Sequence, residues 1–308
     1  FGLSLLGTFL VRSGILTSVH AFASDPARGI SILIFLAIAI GGALALFAWR
    51  GANFSTDKNF ELLSRETFLL ANSVVFVVVT STVLLGTLYP LLIDALGLGK
   101  LSVGPPYFNS VVLPIMAPLL ILMGFGQTAY WRRDRIKRVC RALLYPLIGT
   151  LFFTLTAAMM IEEDGRLMAA GGLLLAFWVI TSTIATAVSR LKNRVSSASV
   201  GKKFFPSTFF GQCMGHIGFG ITVIGITMVG VYEESAHVKM QVGDKVTLSN
   251  LIFTFDSVDT VKGPNYGGSS GKFLVSNQDG SQLGVLTAEK RFYQVRGMAM
   301  TEAGIGIG

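Results

Sequence analysis

Three histidines, His20, His216 and His237, are the residues of this chain that could bind a metal or titrate near neutral pH. His20 lies at the centre of RSGILTSVHAFASDPARG, residues 12–29, which is too polar for lipid although long apolar segments flank it. Neutral imidazole is a good ligand for iron and zinc, so His20 is a candidate metal ligand. The alternative is an ordinary solvated side chain on a loop at the membrane surface.

The far end of this loop carries a helix-start signal. Asp25 is predicted to be the N-cap of the next helix, and Pro26 is predicted to occupy its first helical position. We therefore expect a short loop that is fixed at this end and holds His20 close to the membrane surface.

His216 is placed differently, because it lies inside an apolar segment. It comes about seven residues after the start of the last predicted span, or ~10 Å along a helix. Ionisable residues inside a membrane are costly and usually functional, and haem iron is often held by an axial histidine. The alternative is a histidine that hydrogen-bonds to a neighbouring helix. A bis-histidine haem site would need a second histidine from outside this chain segment.

The residues around His216, GQCMGHIGFG, are rich in glycine. Gly211 and Gly215 have GxxxG spacing, which is typical of close packing between transmembrane helices. Gly220 follows His216 by one helical turn on the same face. We expect Gly220 to clear room there for a flat ligand such as a porphyrin, which makes it a candidate cofactor-binding residue.

Other candidate sites are weaker. His237 is interpreted as a structural or solvated residue. Cys140 and Cys213 have no CxxC spacing and indicate no disulfide framework. The chain also lacks the spacing of a nucleophile elbow, a zinc site or a phosphate-binding loop.

Composition indicates a polytopic membrane protein. Of the 308 residues, 52% are hydrophobic and 14% are charged. The net charge of +8 is spread over short loops between apolar segments, which is typical of membrane topology and not of nucleic-acid binding. Because Phe1 is not a start methionine and opens an apolar run, we expect an internal fragment of a longer protein.

The fold class predicted is mostly α, a polytopic transmembrane helical bundle with a small extracytoplasmic antiparallel β-domain. Residues 1–232 form the predicted transmembrane region and residues 233–308 the β-rich domain, in which NQDG at 277–280 is a hairpin turn. The apolar first half of 89–107 is interpreted as a short interfacial helix. The predicted spans are 1–11 (the end of a span), 29–49, 67–88, 108–130, 142–160, 167–188 and 209–231.

The basic residues predict the orientation of these spans. Segments 50–66, 131–141 and 189–203 hold fourteen Lys and Arg residues, whereas the alternating segments 12–28, 89–107 and 162–166 hold four. The positive-inside rule places the first set in the cytoplasm. The His20 loop and the β-domain are therefore expected on the periplasmic side.

Eight segments spread along the chain resemble the CcmF family, the haem-lyase component of the cytochrome c maturation system, over the C-terminal half of its members. The segments are RSGILTSVHAF (12–22), RETFLL (65–70), GTLYPLL (86–92), KLSVGPPYFN (100–109), GHIGFGITVIGI (215–226), GPNY (263–266), EKRFY (289–293) and MTEAGI (300–305). The resemblance implies a multi-pass protein of the bacterial inner membrane with periplasmic loops.

The resemblance also implies roles for two of the histidines. His20 matches a periplasmic histidine that is an axial ligand, and hence a catalytic residue, for transient haem delivered by the chaperone CcmE. His216 matches one of two membrane histidines that hold a permanent haem b, which keeps the delivered iron reduced, with quinol as the candidate electron donor. The haem vinyl groups are then joined to the CxxCH cysteines of apocytochrome c, which a CcmH-type thiol subunit presents.

Some features of the family are absent from this chain. They are its tryptophan-rich haem-binding signature, its other two histidines and its final span, so the fragment alone is expected to be inactive. Three other functions stay open. They are an ion-coupled secondary transporter, for which Pro114 and Pro118 could mark a broken helix, a non-catalytic assembly scaffold of the same complex, and a relative dedicated to nitrite reductase.

Overall fold

The computed structural model describes residues 1–15, 26–54, 61–99, 101, 103–196, 206–293 and 298–302. Seven α-helices precede a five-stranded sheet in these residues, and a short 3-10 helix, Gly51–Phe54, follows the second of them. The helices are α1 (Gly2–Arg12), α2 (Pro26–Arg50), α3 (Arg65–Ala95), α4 (Pro105–Thr128), α5 (Ile136–Ala158), α6 (Glu163–Ser196) and α7 (Ser207–Tyr232). The predicted fold class, a mostly α bundle of membrane-length helices with a small antiparallel β-domain, is confirmed.

Six of the described helices, α2 to α7, are long and apolar enough to cross a membrane. They overlap the six predicted spans from 29–49 to 209–231. Helix α1 has 11 residues, which is shorter than the ~20 that a bilayer requires. That residues 1–11 are the end of a span therefore stays a prediction.

Helix α3 corrects the interpretation of residues 89–107. The apolar sequence after Tyr89 does not form a separate interfacial helix, because α3 continues without a break through Pro90 to Ala95. In an apolar environment a continuous helix satisfies nearly all backbone polar groups, and the single bond lost at a proline is tolerated. The helix ends where Gly97 adopts a left-handed conformation, with φ of +69°.

Helix α6 occupies the centre of the compact unit formed by residues 45–232, because α4, α5 and α7 all pack against it, whereas α3 packs on α4. The face of α6 that forms this core carries Ala169, Leu173, Ala176 and Val179, each at most 3% exposed. Small residues permit the close approach. A Cβ atom at Gly172 would overlap the Thr227 side chain, and one at Gly124 would overlap the Trp178 indole.

Helices α1 and α2 hold the two ends of the His20 segment. The Phe1 and Phe35 rings meet edge to face at 6.2 Å, and a Cβ atom at Gly29 would lie 3.3 Å from Ser13 Cα. Helix α2 begins at Pro26, the predicted first helical position. Asp25 and His20 themselves lie outside the described residues.

The strands form one antiparallel meander in the order β1 (Lys245–Leu248), β2 (Leu251–Lys262), β3 (Tyr266–Asn277), β4 (Gln282–Tyr293) and β5 (Met298–Glu302). The predicted hairpin turn at 277–280 is confirmed, because it joins β3 to β4 with Gly280 at φ of +87°. Phe255 and Phe273 stack across β2 and β3 with ring centroids 4.8 Å apart.

Candidate functional site

His216 lies in α7 and is hydrogen-bonded to a side chain near the end of α4. Its Nδ1 atom is 3.1 Å from Gln127 Oε1, and Gln127 Nε2 donates to Ser182 Oγ of α6 at 2.9 Å. Gln127 is 6% exposed and Ser182 is fully buried. Three helices, α4, α6 and α7, are therefore joined by a short chain of polar side chains.

The hydrogen bonds in this chain determine the tautomer of His216. The Ser182 hydroxyl donates its single proton to Val179 O at 3.1 Å, so its oxygen must accept from the Gln127 amide nitrogen. Gln127 therefore presents its carbonyl oxygen to His216. Since a carbonyl oxygen only accepts, His216 Nδ1 must carry the proton, and Nε2 of the neutral ring keeps a free lone pair.

Metal-binding histidines commonly have this arrangement. One ring nitrogen donates to a protein oxygen, which orients the ring and raises the basicity of the nitrogen that binds the metal. No other hydrogen bond of His216 occurs within the described residues. Its Nε2 atom is therefore available to an iron or zinc ion without the loss of an existing contact.

A cavity of about 270 Å³ lies beside His216, between α3, α4 and α7. Its polar lining residues are Arg65, Asn72, Gln127, Gln212 and His216. Asn72 Oδ1 is buried and has no hydrogen-bond partner among the residues that the structure describes. A buried polar atom without a partner is costly, so this amide indicates that the cavity accommodates a polar ligand or an ordered water.

Contacts between two loop segments fix the position of this cavity at one end of the bundle. Arg65 begins α3 with its N–H donating to Tyr130 O at 2.8 Å, and Asp134 N–H donates to Leu63 O at 2.8 Å. The Ser64 side chain caps α3 by accepting from Thr67 N–H. The Arg65 guanidinium lies over the Trp131 ring, 5.2 Å from its centroid. The start of α3 is therefore attached to the segment that follows α4.

The described residues are compatible with a haem held at His216, although they form only part of such a site. The imidazole would supply a ligand to the iron, Arg65 would supply a cation for carboxylate groups, and α3 and α4 would supply apolar side chains such as Phe68 and Leu122. The cavity is smaller than the ~300–1,000 Å³ of sites that enclose a whole ligand. We interpret it as one wall of the site.

Gly220 does not have the predicted role. A Cβ atom there would lie 2.6 Å from Ile180 Cγ1 and 3.2 Å from Ala176 O, both in α6. Gly220 therefore allows α7 to pack closely on α6, and the expectation that it clears room for a porphyrin is corrected. His216 is one turn away, yet its Nδ1 atom bonds to the Gln127 side chain of α4.

Gly211 and Gly215 lie on the opposite side of α7. A Cβ atom at either position would meet no atom within 4 Å in the described part of the chain. The predicted GxxxG packing is therefore not made among these residues. His237 is exposed and precedes β1, in agreement with its interpretation as a solvated residue.

Sequence reasoning missed the residues around His216. No role was predicted for five of them, Arg65, Asn72, Gln127, Ser182 and Gln212. A lone amide in an apolar span is, like His216, energetically costly to place in a membrane. That cost was a signal in the sequence for Asn72 and Gln127. The sequence gives no indication of which helices these residues face.

Comparisons with known proteins agree with this architecture. The family model described as "CcmF C-terminal beta-sandwich" matches residues 231–308. The cytochrome c-type biogenesis protein CcmF of Pseudomonas aeruginosa is 42% identical over 308 residues, which is 100% of this chain and 46% of that protein. CcmF of Escherichia coli K12 is 41% identical over 305 residues, which is 99% of this chain and 46% of that protein.

A solved structure, "Cytochrome c Heme Lyase CcmF", has a TM-score of 0.57 and 24% sequence identity, and the match covers 94% of this chain and 42% of that one. A likeness at this identity shows the fold. The chain spans about half the length of the curated relatives it matches.

Proposed function

The chain belongs to the CcmF family of cytochrome c biogenesis proteins, and from that premise we propose that it serves cytochrome c maturation as part of a haem lyase. In this proposal His216 is an axial ligand of a haem b in the membrane. The observation that carries the proposal is the Ser182–Gln127–His216 chain, which leaves Nε2 free beside a polar cavity.

The residues around the cavity have separate tasks in this proposal. His216 Nε2 would provide a lone pair to the haem iron, while Gln127 keeps the proton on Nδ1 and holds the plane of the ring. Arg65 neutralises carboxylates such as those a porphyrin carries, and Asn72 Oδ1 accepts a hydrogen bond from the ligand or from a water. A haem b bound here would supply a one-electron redox centre.

We assign the lyase step to the region of His20. The transient haem that CcmE delivers is the substrate, and His20 holds its iron so that the vinyl groups stay accessible. Each thioether forms by addition of a cysteine S–H across a vinyl C=C bond, so no atom is lost. Such positioning can contribute on the order of several kcal/mol to a bimolecular step. The close approach of Ser13 and Gly29 supports this role of His20, because the two residues lie on either side of the His20 segment and keep its ends together.

The proposal includes an orientation and a set of partners. The segments rich in Lys and Arg would lie in the cytoplasm, so that the His20 segment and the β-domain face the periplasm. CcmE, a CcmH-type thiol subunit and apocytochrome c would meet the protein on that side, and quinol would reduce the haem b from within the membrane.

The visible spectrum of the full-length protein tests the haem b site. We expect His216→Ala to abolish the b-type absorption of the purified protein. His237→Ala is the matched control, because it removes an exposed histidine outside the helices and should leave the spectrum unchanged. An unaltered b-type spectrum in His216→Ala would exclude His216 as a ligand.

A second experiment tests the lyase step against the scaffold alternative. His20→Ala in the full-length protein should abolish formation of holo-cytochrome c while the variant still co-purifies with its partners. Normal maturation in this variant would favour a scaffold that only brings the chaperone and the apocytochrome together.

A further inference from the structure

A second space in the bundle lies on the other side of α4, between α4 and α5. It is a groove of about 530 Å³ whose inner wall is α6. Both α4 and α5 pack on α6, and the groove is the space that remains between α4 and α5. The groove is lined mainly by apolar side chains, including Phe125, Leu143, Leu147, Leu151 and Leu174.

The polar groups of Trp178 and Thr150, which also line this groove, need no ligand. The Trp178 indole N–H donates to Ile121 O at 3.1 Å. The Thr150 hydroxyl donates to Pro146 O at 2.8 Å. Because both groups are already hydrogen-bonded within the protein, polar atoms of an occupant would find no unpaired donor at these two positions. The walls therefore favour a hydrocarbon chain.

The length of the groove matches one leaflet of a bilayer. Its residues on α5 run from Cys140 to Leu151, which is ~16 Å at 1.5 Å per residue. The hydrocarbon core of a membrane is ~30 Å thick. The groove therefore covers about half of that thickness. It starts near the N-terminal end of α5, which lies within the basic segment 131–141.

Two exposed cations lie at this end of the groove. Lys137 and Arg141 flank Cys140 along the first turns of α5. Neither has a carboxylate partner among the described residues, whereas Arg133 pairs with Glu61 and Arg138 pairs with Asp134. The positive charge at the mouth of the groove is thus available to an external anion.

We propose that this groove binds one anionic glycerophospholipid, with an acyl chain between α4 and α5 and the phosphate beside Lys137 and Arg141. Basic side chains at the membrane surface attract anionic lipids, and their aliphatic parts can lie along apolar surface while the charge stays in the interface. The proposal is independent of the haem site.

The test measures lipid binding to the full-length haem-loaded protein in nanodiscs that contain phosphatidylglycerol and phosphatidylcholine, followed by native mass spectrometry. Lys137→Gln with Arg141→Gln should reduce bound phosphatidylglycerol about tenfold relative to phosphatidylcholine. The matched control, Lys192→Gln with Lys239→Gln, removes two exposed positive charges elsewhere and should leave this ratio unchanged.

A second variant tests the groove itself. Leu147→Trp fills the groove and should lower the amount of both bound lipids, while an unchanged thermal unfolding transition shows that the fold is intact. The proposal is overturned if the double charge variant keeps the preference for phosphatidylglycerol. It is equally overturned if Leu147→Trp retains the lipid, because the occupant then lies elsewhere or the groove is covered by protein.

Discussion

The two sides of α4 differ sharply in how their polar groups are satisfied. On the side of α3 and α7, within the described part of the chain, Asn72 Oδ1 has no partner and His216 Nε2 makes no hydrogen bond beside the cavity. In the groove on the side of α5, the polar groups of Trp178 and Thr150 are bonded within the protein. Thr154 Oγ1 of α5 also lacks a partner among the described residues, but Thr154 does not line the groove. The side of α3 and α7 therefore favours a polar or metal-containing ligand, whereas the side of α5 favours a hydrocarbon chain. Cavity size alone would favour the larger apolar groove, so it is the state of the polar atoms that identifies the candidate haem site.

The largest effect is expected at Gly124, which lies between the two sides. A Cβ atom there would overlap the Trp178 indole, and moving the indole breaks its hydrogen bond to Ile121 O. We expect Gly124→Ala to lower the free energy of unfolding by about 3 kcal/mol, measured by thermal unfolding in detergent. The control is Gly171→Ala in α6, where a Cβ atom meets nothing within 4 Å. Equal effects of the two changes would show that the α4–α6 contact is looser than described.

A change at Gln127 should act mainly on the side of α4 that carries His216. Gln127→Leu removes the acceptor for His216 Nδ1–H, and loss of such a partner typically weakens metal binding by ~10–100-fold. Haem content after purification and titration with haem measure this. Gln127→Glu keeps an acceptor, so it should retain haem and make the reduction potential more negative. Thr150→Val, on the side of the groove, is the control and should leave haem content unchanged. Full haem affinity in Gln127→Leu would remove Gln127 from the site.

A smaller, pH-dependent effect is expected at Asp134, which connects α4 to α5. Its carboxylate accepts from Arg138 Nε at 2.7 Å and from Tyr130 N–H at 2.8 Å. The hydrogen bond from Arg138 is the main reason that the pKa of Asp134 is lowered from 3.8 to about 2. Because the folded-state pKa is depressed, this stabilisation is complete above pH ~4. It is lost as the pH falls through about 2.

We therefore expect Asp134→Asn to lower the free energy of unfolding at pH 7 by about 2 kcal/mol. The difference from the unmodified protein should shrink below pH ~4. Thermal unfolding at pH 7, 4 and 3 measures it, with Asp94→Asn, an exposed carboxylate at the end of α3, as the control. A difference that stays constant down to pH 3 would show that the ionised carboxylate is not what stabilises this connection.

The sequence predicted the features that depend on local pattern. Apolar runs of about the ~20 residues that a bilayer requires predicted helices α2 to α7, and the residues NQDG predicted the β3–β4 turn. It also singled out His216, because an ionisable residue in an apolar span is conspicuous. The predicted extent of α3 was wrong, since the span 67–88 was followed by a separate interfacial helix, whereas α3 continues through Pro90 to Ala95. A membrane tolerates a proline within a helix.

Prediction failed where the answer depends on which helices are neighbours. Gly220 and His216 share a face of α7, yet Gly220 packs on α6 and His216 bonds to α4. The partnership of His216 with Gln127 joins residues 89 positions apart. Neither the helical period nor the lengths of the connections determine such a pairing.

The most direct test of the central claim is a structure of the full-length protein with its haem, determined by electron cryomicroscopy. We predict that Nε2 of His216 binds the iron while Nδ1 still donates to Gln127 Oε1. An iron bound through Nδ1 or through another residue, or a His216 ring directed at the lipid, would contradict the account.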